Sequence, residues 1–175
     1  MFEERGYRDA SIADIVARAK TARGTFYLYF RNKEDVFAAV LAESIDDLYR
    51  AAGRVQPDIE AAIAGWLRIY SERVGLWRCM VEAALESRTA AAHWLTVRER
   101  YLARIARRLR AEQADGRARP IDADLAAHAL ASMVEWYAFT TMVVSDSPDD
   151  PEWLDRSASA MAAIWDHAVH PDRRA

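Results

Sequence analysis

Three cations, two threonines and a run of aromatics crowd the stretch TARGTFYLYFRNKED, Thr21 to Asp35. Guanidinium and ammonium groups on Arg23, Arg31 and Lys33 suit phosphate. The hydroxyls of Thr21, Thr25, Tyr27 and Tyr29 can reach phosphate or base edges. If the stretch is helical, Phe26 and Phe30 fall within about 40° of each other, and Thr21, Thr25 and Leu28 lie about 200–260° from Phe26. Two phenylalanines then anchor a short helix whose opposite face is small and polar apart from one leucine. Tyr27 and Tyr29 flank the anchor, each with a ring edge inward and its hydroxyl outward. Gly24 leaves room for a backbone to approach near the helix start. Such a face suits a major groove. Lys33, beside the start of the next helix, combines its charge with exposed N–H groups as a phosphate anchor, and Ser11 offers a similar contact.

Charge distribution supports a local reading. The chain carries a net charge of −3, yet seven cations (Arg5, Arg8, Arg18, Lys20, Arg23, Arg31, Lys33) face only Asp9 and Asp14 between positions 5 and 33. A cationic contact module followed by an acidic body is expected. With 175 residues, 52% of them hydrophobic and 29% charged, the chain can build an ordinary core. No apolar run approaches the roughly 20 residues that span a bilayer, and MFEERGYRD does not read as a signal peptide. A single cysteine, Cys79, excludes an internal disulfide. No membrane partner and a cytoplasmic location are expected.

Positioning falls to helices. Apolar residues recur at three and four, glycine and proline are scarce, and no segment alternates with period two, so the chain reads as all-α. Ser11 with Asp14 forms a capping box ahead of Ile12, Ile15, Val16 and Ala19, and this helix ends near Lys20. A short helix follows from about Ala22 to Tyr29. Asn32 with Asp35 starts a long one, Val36, Phe37, Val40, Leu41, Ile45 and Leu48 inward, that ends at Gly53. Two short helices joined by a tight turn describe a helix-turn-helix. Beyond a break at 53–57, with Pro57 in a first turn, longer helices are expected over about 58–74, 76–87, 90–114, 122–146 and 151–168. QADGRARP and SDSPDDP form loops.

Residues 2–41, with Gly6-Tyr7, Ser11, Ile15, Ala19, then GTFYLYF followed by Lys33-Glu34, resemble the N-terminal domain of the tetracycline-repressor (TetR) family of transcriptional regulators. The resemblance implies a DNA-binding domain over 1–52 and a helical effector-binding and dimerisation domain over 53–175. It also implies a homodimer on a near-palindromic operator, released by a small effector. The family's DNA-contact positions fall on Ser11, Thr21, Ala22, Arg23, Gly24, Thr25, Tyr27, Leu28, Tyr29 and Lys33. Three departures stand out. Lys20 replaces the usual turn glycine and is expected at an unfavourable positive φ. Ala22 replaces a capping serine or threonine, a loss of roughly 1 kcal/mol that Thr21 is placed to offset. The family's first helix is represented by its last turn alone, leaving a truncated three-helix head.

For the body, the resemblance implies a cavity between helices, with candidates Trp66, Tyr70, Trp77, Met80, Trp94, Tyr101, Met133, Trp136 and Tyr137, and His128 as a hydrogen-bonding group. Few buried charges are evident, so the effector is expected to be mainly hydrophobic, with Arg98 or Arg104 able to meet an anionic head group. Leu125, Ala129, Ser132, Trp136, Phe139 and Val143, with Leu154, Met161, Ile164 and Trp165, make the apolar faces of the last two helices. Those faces suit the family's four-helix dimer interface. No cofactor, metal site or enzyme is expected: the chain has no Glu-x-x-His pair and no nucleophile motif, and His167 and His170 sit near the terminus. The alternative function is a helical small-molecule sensor whose head no longer binds DNA.

Overall fold

The computed structural model describes residues 1–53, 58–145 and 150–170, with the backbone alone for 46–53. Among these residues the chain is helical throughout: α1 (Phe2–Asp9), α2 (Ile12–Arg18), α3 (Arg23–Tyr29), α4 (Lys33–Gly53), α5 (Ile59–Ser71), α6 (Val74–Glu86), α7 (Arg88–Ala114), α8 (Ala123–Ala138), a π-helical turn (Phe139–Val144) and α9 (Pro151–Val169). The expected inward side chain of Leu48, the placement of Pro57 and most of the SDSPDDP loop lie outside the described residues.

Two compact units result. The first comprises Met1–Asp47 with Glu72–Val97. Its aromatic centre is Phe37, whose ring sits 4.8 Å from Phe2 and 4.9 Å from Tyr7. Leu41, Ile45, Leu76 and Ala83 are also buried here. Val40, expected inward, lies at the exposed edge of α4. Helix α6 packs along α1 through one stripe, Gly75, Cys79, Glu82 and Glu86. A Cβ at Gly75 would come within 3.0 Å of the Glu3 carbonyl oxygen, so only glycine allows this crossing. The Cys79 thiol donates to the Phe2 carbonyl at 3.0 Å, and burial pushes it up to about 11, so it stays protonated at neutral pH. Glu82 accepts the Tyr7 N–H at 3.0 Å. That N–H is presented because Gly6 breaks α1 with a φ of 78°.

The second unit comprises Leu48–Ser71 with Arg98–Ala175. Here α5 packs against α9, burying Ile63, Trp66, Leu67 and Tyr70 on one side and Leu154, Ala158, Met161 and Ala162 on the other. The small residues let the helix axes come close. A second cluster joins Ala106, Leu109, Ala118, Ala123, Ala127 and Val169, with Ile105, Ala126 and Trp165 packed on it. Leu154 and Met161, expected on an outward dimer face, are instead part of this unit's interior, while Ile164 is exposed.

One element differs from its expectation in kind. The helix over 122–146 stays α-helical only to Ala138 and then widens to π geometry. β-Branched Thr140, Thr141, Val143 and Val144 crowd the α-helical turn. Thr140 and Thr141 also donate back to the Trp136 and Tyr137 carbonyls at 2.9 and 2.6 Å. Such back-bonding competes with the regular ladder, and the Ser145 N–H reaches Thr140 five residues back, at 3.0 Å.

Candidate nucleic-acid interface

The capping box forms as spaced. Asp14 N–H donates to Ser11 Oγ at 3.2 Å, and Ser11 N–H donates to Asp14 Oδ2 at 3.2 Å. The Ser11 hydroxyl also donates to that carboxylate at 2.6 Å and holds it below its ordinary range. Helix α2 buries no residue fully: Ile12, Ile15 and Val16 are half-buried and Ala19 is exposed. The turn after it runs through Lys20 at a φ of 50°, the left-handed conformation that the missing glycine would favour. Ala22 is the N-cap of α3 and supplies no side-chain bond.

Phe26 turns inward and is 5% exposed. It meets Tyr27 edge-on at 5.3 Å and half-buried Phe30 at 5.7 Å. Thr21, Ala22, Arg23, Gly24 and Thr25 are all exposed, as are Tyr27, Leu28 (80%) and Tyr29 (77%). The two faces therefore divide as the spacing predicts. Tyr29 departs in one respect, since its ring stands in solvent instead of burying an edge. A Cβ at Gly24 would meet nothing within 4 Å, so among the described residues no other segment's backbone approaches it.

Electrostatics narrows the cationic surface. Arg5 pairs with Asp14 at 2.6 Å, Arg8 with Glu86 at 2.7 Å, Arg31 with Asp35 at 2.8 Å, and Arg18 with Glu4. Lys33 is also occupied: its Nζ donates to the Tyr7 and Arg8 carbonyls at 2.8 and 3.2 Å, and sits 4.4 Å from the centre of the Tyr7 ring. It closes the end of α1 onto the start of α4, whereas the spacing suggested a free anchor. Lys20 and Arg23 have no carboxylate partner among the described residues, and both are exposed beside the outward face of α3. Charge counting missed this selection of Lys20, though a lysine at a positive-φ turn was a signal that could have found it.

The residues expected to line a cavity are distributed over both units. Trp77 and Met80 are buried and Trp94 half-buried in the first. In the second, Trp66 and Tyr70 are buried and stack at 4.9 Å. Tyr101, Met133 and Tyr137 are half-buried there. Tyr137 stacks on Trp153 at 5.7 Å and shares a 2.8 Å hydrogen bond with Ser157. His128 and Trp136, expected in the cavity, are exposed, because they share the outward side of α8 with Leu125, Ala129 and Ser132, the face on which Trp136 was also expected. Arg98, expected to be available to a head group, donates to Glu135 at 2.8 Å and to Ser132 at 3.0 Å. Burial raises the Glu135 carboxyl above its ordinary value, and Arg98 pulls it back. This pair was not legible in the sequence; the Glu135 charge also helps push the Tyr101 phenol, already raised by burial, up to about 12. A surface cleft of about 320 Å³ where α1 meets α6 is lined mainly by charge (Arg5, Arg8, Asp9, Glu82, Glu86) and does not suit an apolar effector.

Comparison with known proteins matches two stretches of the chain. Residues 1–40 match the family described as bacterial regulatory proteins, tetR family. Residues 66–165 match the C-terminal domain of AefR-like transcriptional repressors. The chain is 25% identical to the HTH-type transcriptional regulator EthR of Mycobacterium tuberculosis, over 99% of this chain and 84% of that protein. It is 40% identical to the HTH-type transcriptional regulator YvdT of Bacillus subtilis over 33% of this chain, and spans only 30% of that relative's length. A TetR-family regulator from Mesorhizobium loti shares the fold with a TM-score of 0.75 at 20% identity, over 97% of this chain and 91% of that one.

Proposed function

Because the chain belongs to the TetR family of transcriptional regulators, with a helix-turn-helix DNA-binding head and no enzymatic role, we propose that it is a ligand-responsive dimeric repressor. Residues 1–52 bind a near-palindromic operator. Residues 53–175 dimerise and take a small, mainly apolar effector. The observation that carries the DNA side is the division of α3: Phe26 is buried, while Thr21, Arg23, Thr25, Tyr27, Leu28 and Tyr29 stand in solvent with Lys20.

In this reading Lys20 and Arg23 meet phosphates, Tyr27 and Tyr29 fix the register through their hydroxyls, and Thr25 and Leu28 face bases. Ser11 and Lys33 act by holding α2 and α4 in place. Dimerisation uses the outward side of α8 (Leu125, Ala129, Ser132, Trp136) with Ile164 of α9, and sets the two copies of α3 about 34–36 Å apart. The effector is taken among Trp66, Tyr70, Tyr101, Met133 and Tyr137 and favours a different separation, for which a coupling of about 1–3 kcal/mol suffices. No helix among the described residues is long and apolar enough to cross a membrane.

A mobility-shift assay with the full chain and the DNA flanking its own gene tests this. A shift that saturates at two chains per duplex and weakens steeply with salt is expected. Absence of any salt-dependent shift would sink the reading. Native mass spectrometry of the purified dimer checks for a retained small molecule.

A further inference from the structure

We propose that Leu28, with the methyl group of Thr25 beside it, reads the operator through the C5-methyl groups of thymine. The inference rests on the DNA-binding reading of α3 and deepens it by naming what the helix recognises. Base edges in a major groove are read in two ways: by hydrogen-bonding side chains, in which Arg or Lys meets guanine, Asn or Gln meets adenine and Asp or Glu meets cytosine, or by apolar contact with the thymine methyl. Helix α3, RGTFYLY, holds no Asn, Gln, Asp or Glu, and its one arginine is its first residue.

The centre of the outward face is formed by Thr25 and Leu28, three positions apart and so one above the other. Leu28 leaves 80% of its surface in water, among the largest exposures of any apolar side chain among the described residues. No other part of this unit covers it, and Phe26 already supplies the helix's anchor. Its exposed neighbours Lys20 and Arg23 lack carboxylate partners among the described residues, which fits a polyanion as the occupant. An apolar tip flanked by unneutralised cations can bury itself in a groove only where that groove offers apolar surface, and in DNA that surface is the thymine methyl.

The test starts from the full-length chain and a random duplex pool, from which bound sequences are selected. Each thymine of the selected site is then replaced by deoxyuridine in both half-sites, which removes the methyl and leaves the pairing edge unchanged. At one position or more per half-site the replacement should weaken binding about fourfold per methyl, about 15-fold for the pair, from the free energy of burying one methyl-sized group. Leu28→Ala should lose most of the difference between the thymine and deoxyuridine duplexes, the Thr25 methyl keeping the remainder, with its salt dependence unchanged because no cation is altered. The side chain is exposed, so this variant folds, and its helicity is checked by circular dichroism. Selected sites indifferent to deoxyuridine everywhere, or a Leu28→Ala variant that keeps the full penalty, overturn the inference while leaving DNA binding intact. A pool from which nothing is retained removes the DNA-binding reading itself, and the methyl contact with it.

Discussion

Helices α3 and α8 both leave large apolar side chains in water, and the difference lies in their neighbours. On α3, Leu28 and Tyr29 stand among hydroxyls and two cations that no carboxylate of the described residues neutralises. On α8, Leu125 (69% exposed) and Trp136 (66%) share a face with Ala129 and Ser132. Apolar groups beside bare charge favour a charged, grooved partner. The same groups beside small residues favour another helix, whose backbone can approach closely. Exposure is common to both faces, and in the function proposed above the surrounding chemistry assigns one to DNA and the other to a second copy.

The sharpest way to disturb this contrast is to unfix α8. Arg98 holds Glu135, the residue next to Trp136. Arg98→Met leaves a largely buried carboxylate without its counter-charge and should cost about 2–3 kcal/mol at neutral pH, at or below the range for fully buried pairs. The pH dependence has a definite sign. Burial raises the folded-state value of Glu135 above its unfolded one, so its contribution is complete below the ordinary carboxylate range and is lost as pH rises through the folded value. Without Arg98 that loss deepens. Urea unfolding of the variant should therefore show a deficit at pH 7 that shrinks toward pH 4, whereas an equal deficit at both would mean that Arg98 acts by packing alone.

Next in size is a direct change of partner chemistry on α8. Leu125→Asp with Trp136→Asp places charge on a face read as protein-binding, and both sites are exposed enough for the fold to survive. Sedimentation should show monomers, and operator affinity should fall by about 100-fold because the second half-site no longer binds from the same particle. Retained dimers would move the interface off α8.

Much of the α3 side of this comparison was legible in the sequence. The Ser11–Asp14 and Asn32–Asp35 spacings specify helix starts through local bonds, and both form. Phe26 against Thr25 and Leu28 is a matter of helical period, and the faces divide accordingly. What stayed hidden depends on distant parts of the chain. Arg8 finds Glu86 and Lys33 finds the carbonyls of Tyr7 and Arg8, so seven apparent cations give a far smaller bare surface. Glycine, cysteine and two glutamates along α6 form no apolar pattern, yet they are what grip α1. On α8 the period was right but the direction wrong for His128, and Trp136, placed both in the cavity and on the outward face, takes the outward one, because an outward apolar stripe has the same spacing as one bound for the core.

A milder test addresses the bare charges. Arg23→Ala should lower the slope of log affinity against log salt by about one per half-site, while leaving base preference and unfolding unchanged. A change in preferred sequence would instead make Arg23 a base reader and shift part of the recognition from Leu28 toward guanine.

The smallest effect carries the most discriminating sign. Lys20 sits at a φ of 50°, where a side chain is strained and glycine is not. Lys20→Gly should relieve that strain, although the added freedom of the unfolded chain takes back part of the gain, leaving the head more stable by about 0.5–1 kcal/mol. The same substitution removes one of the two cations beside the outward face of α3 that no carboxylate of the described residues neutralises, so operator binding should weaken and its salt slope should fall. Stability and binding thus move in opposite directions. That opposition is expected only if the strained lysine is kept for contact with phosphate. Thermal unfolding and a salt titration on one protein preparation measure both. A variant that is stabilised yet binds with an unchanged salt slope would show that the cationic side of α3 begins at Arg23, and that Lys20 is merely tolerated in the turn.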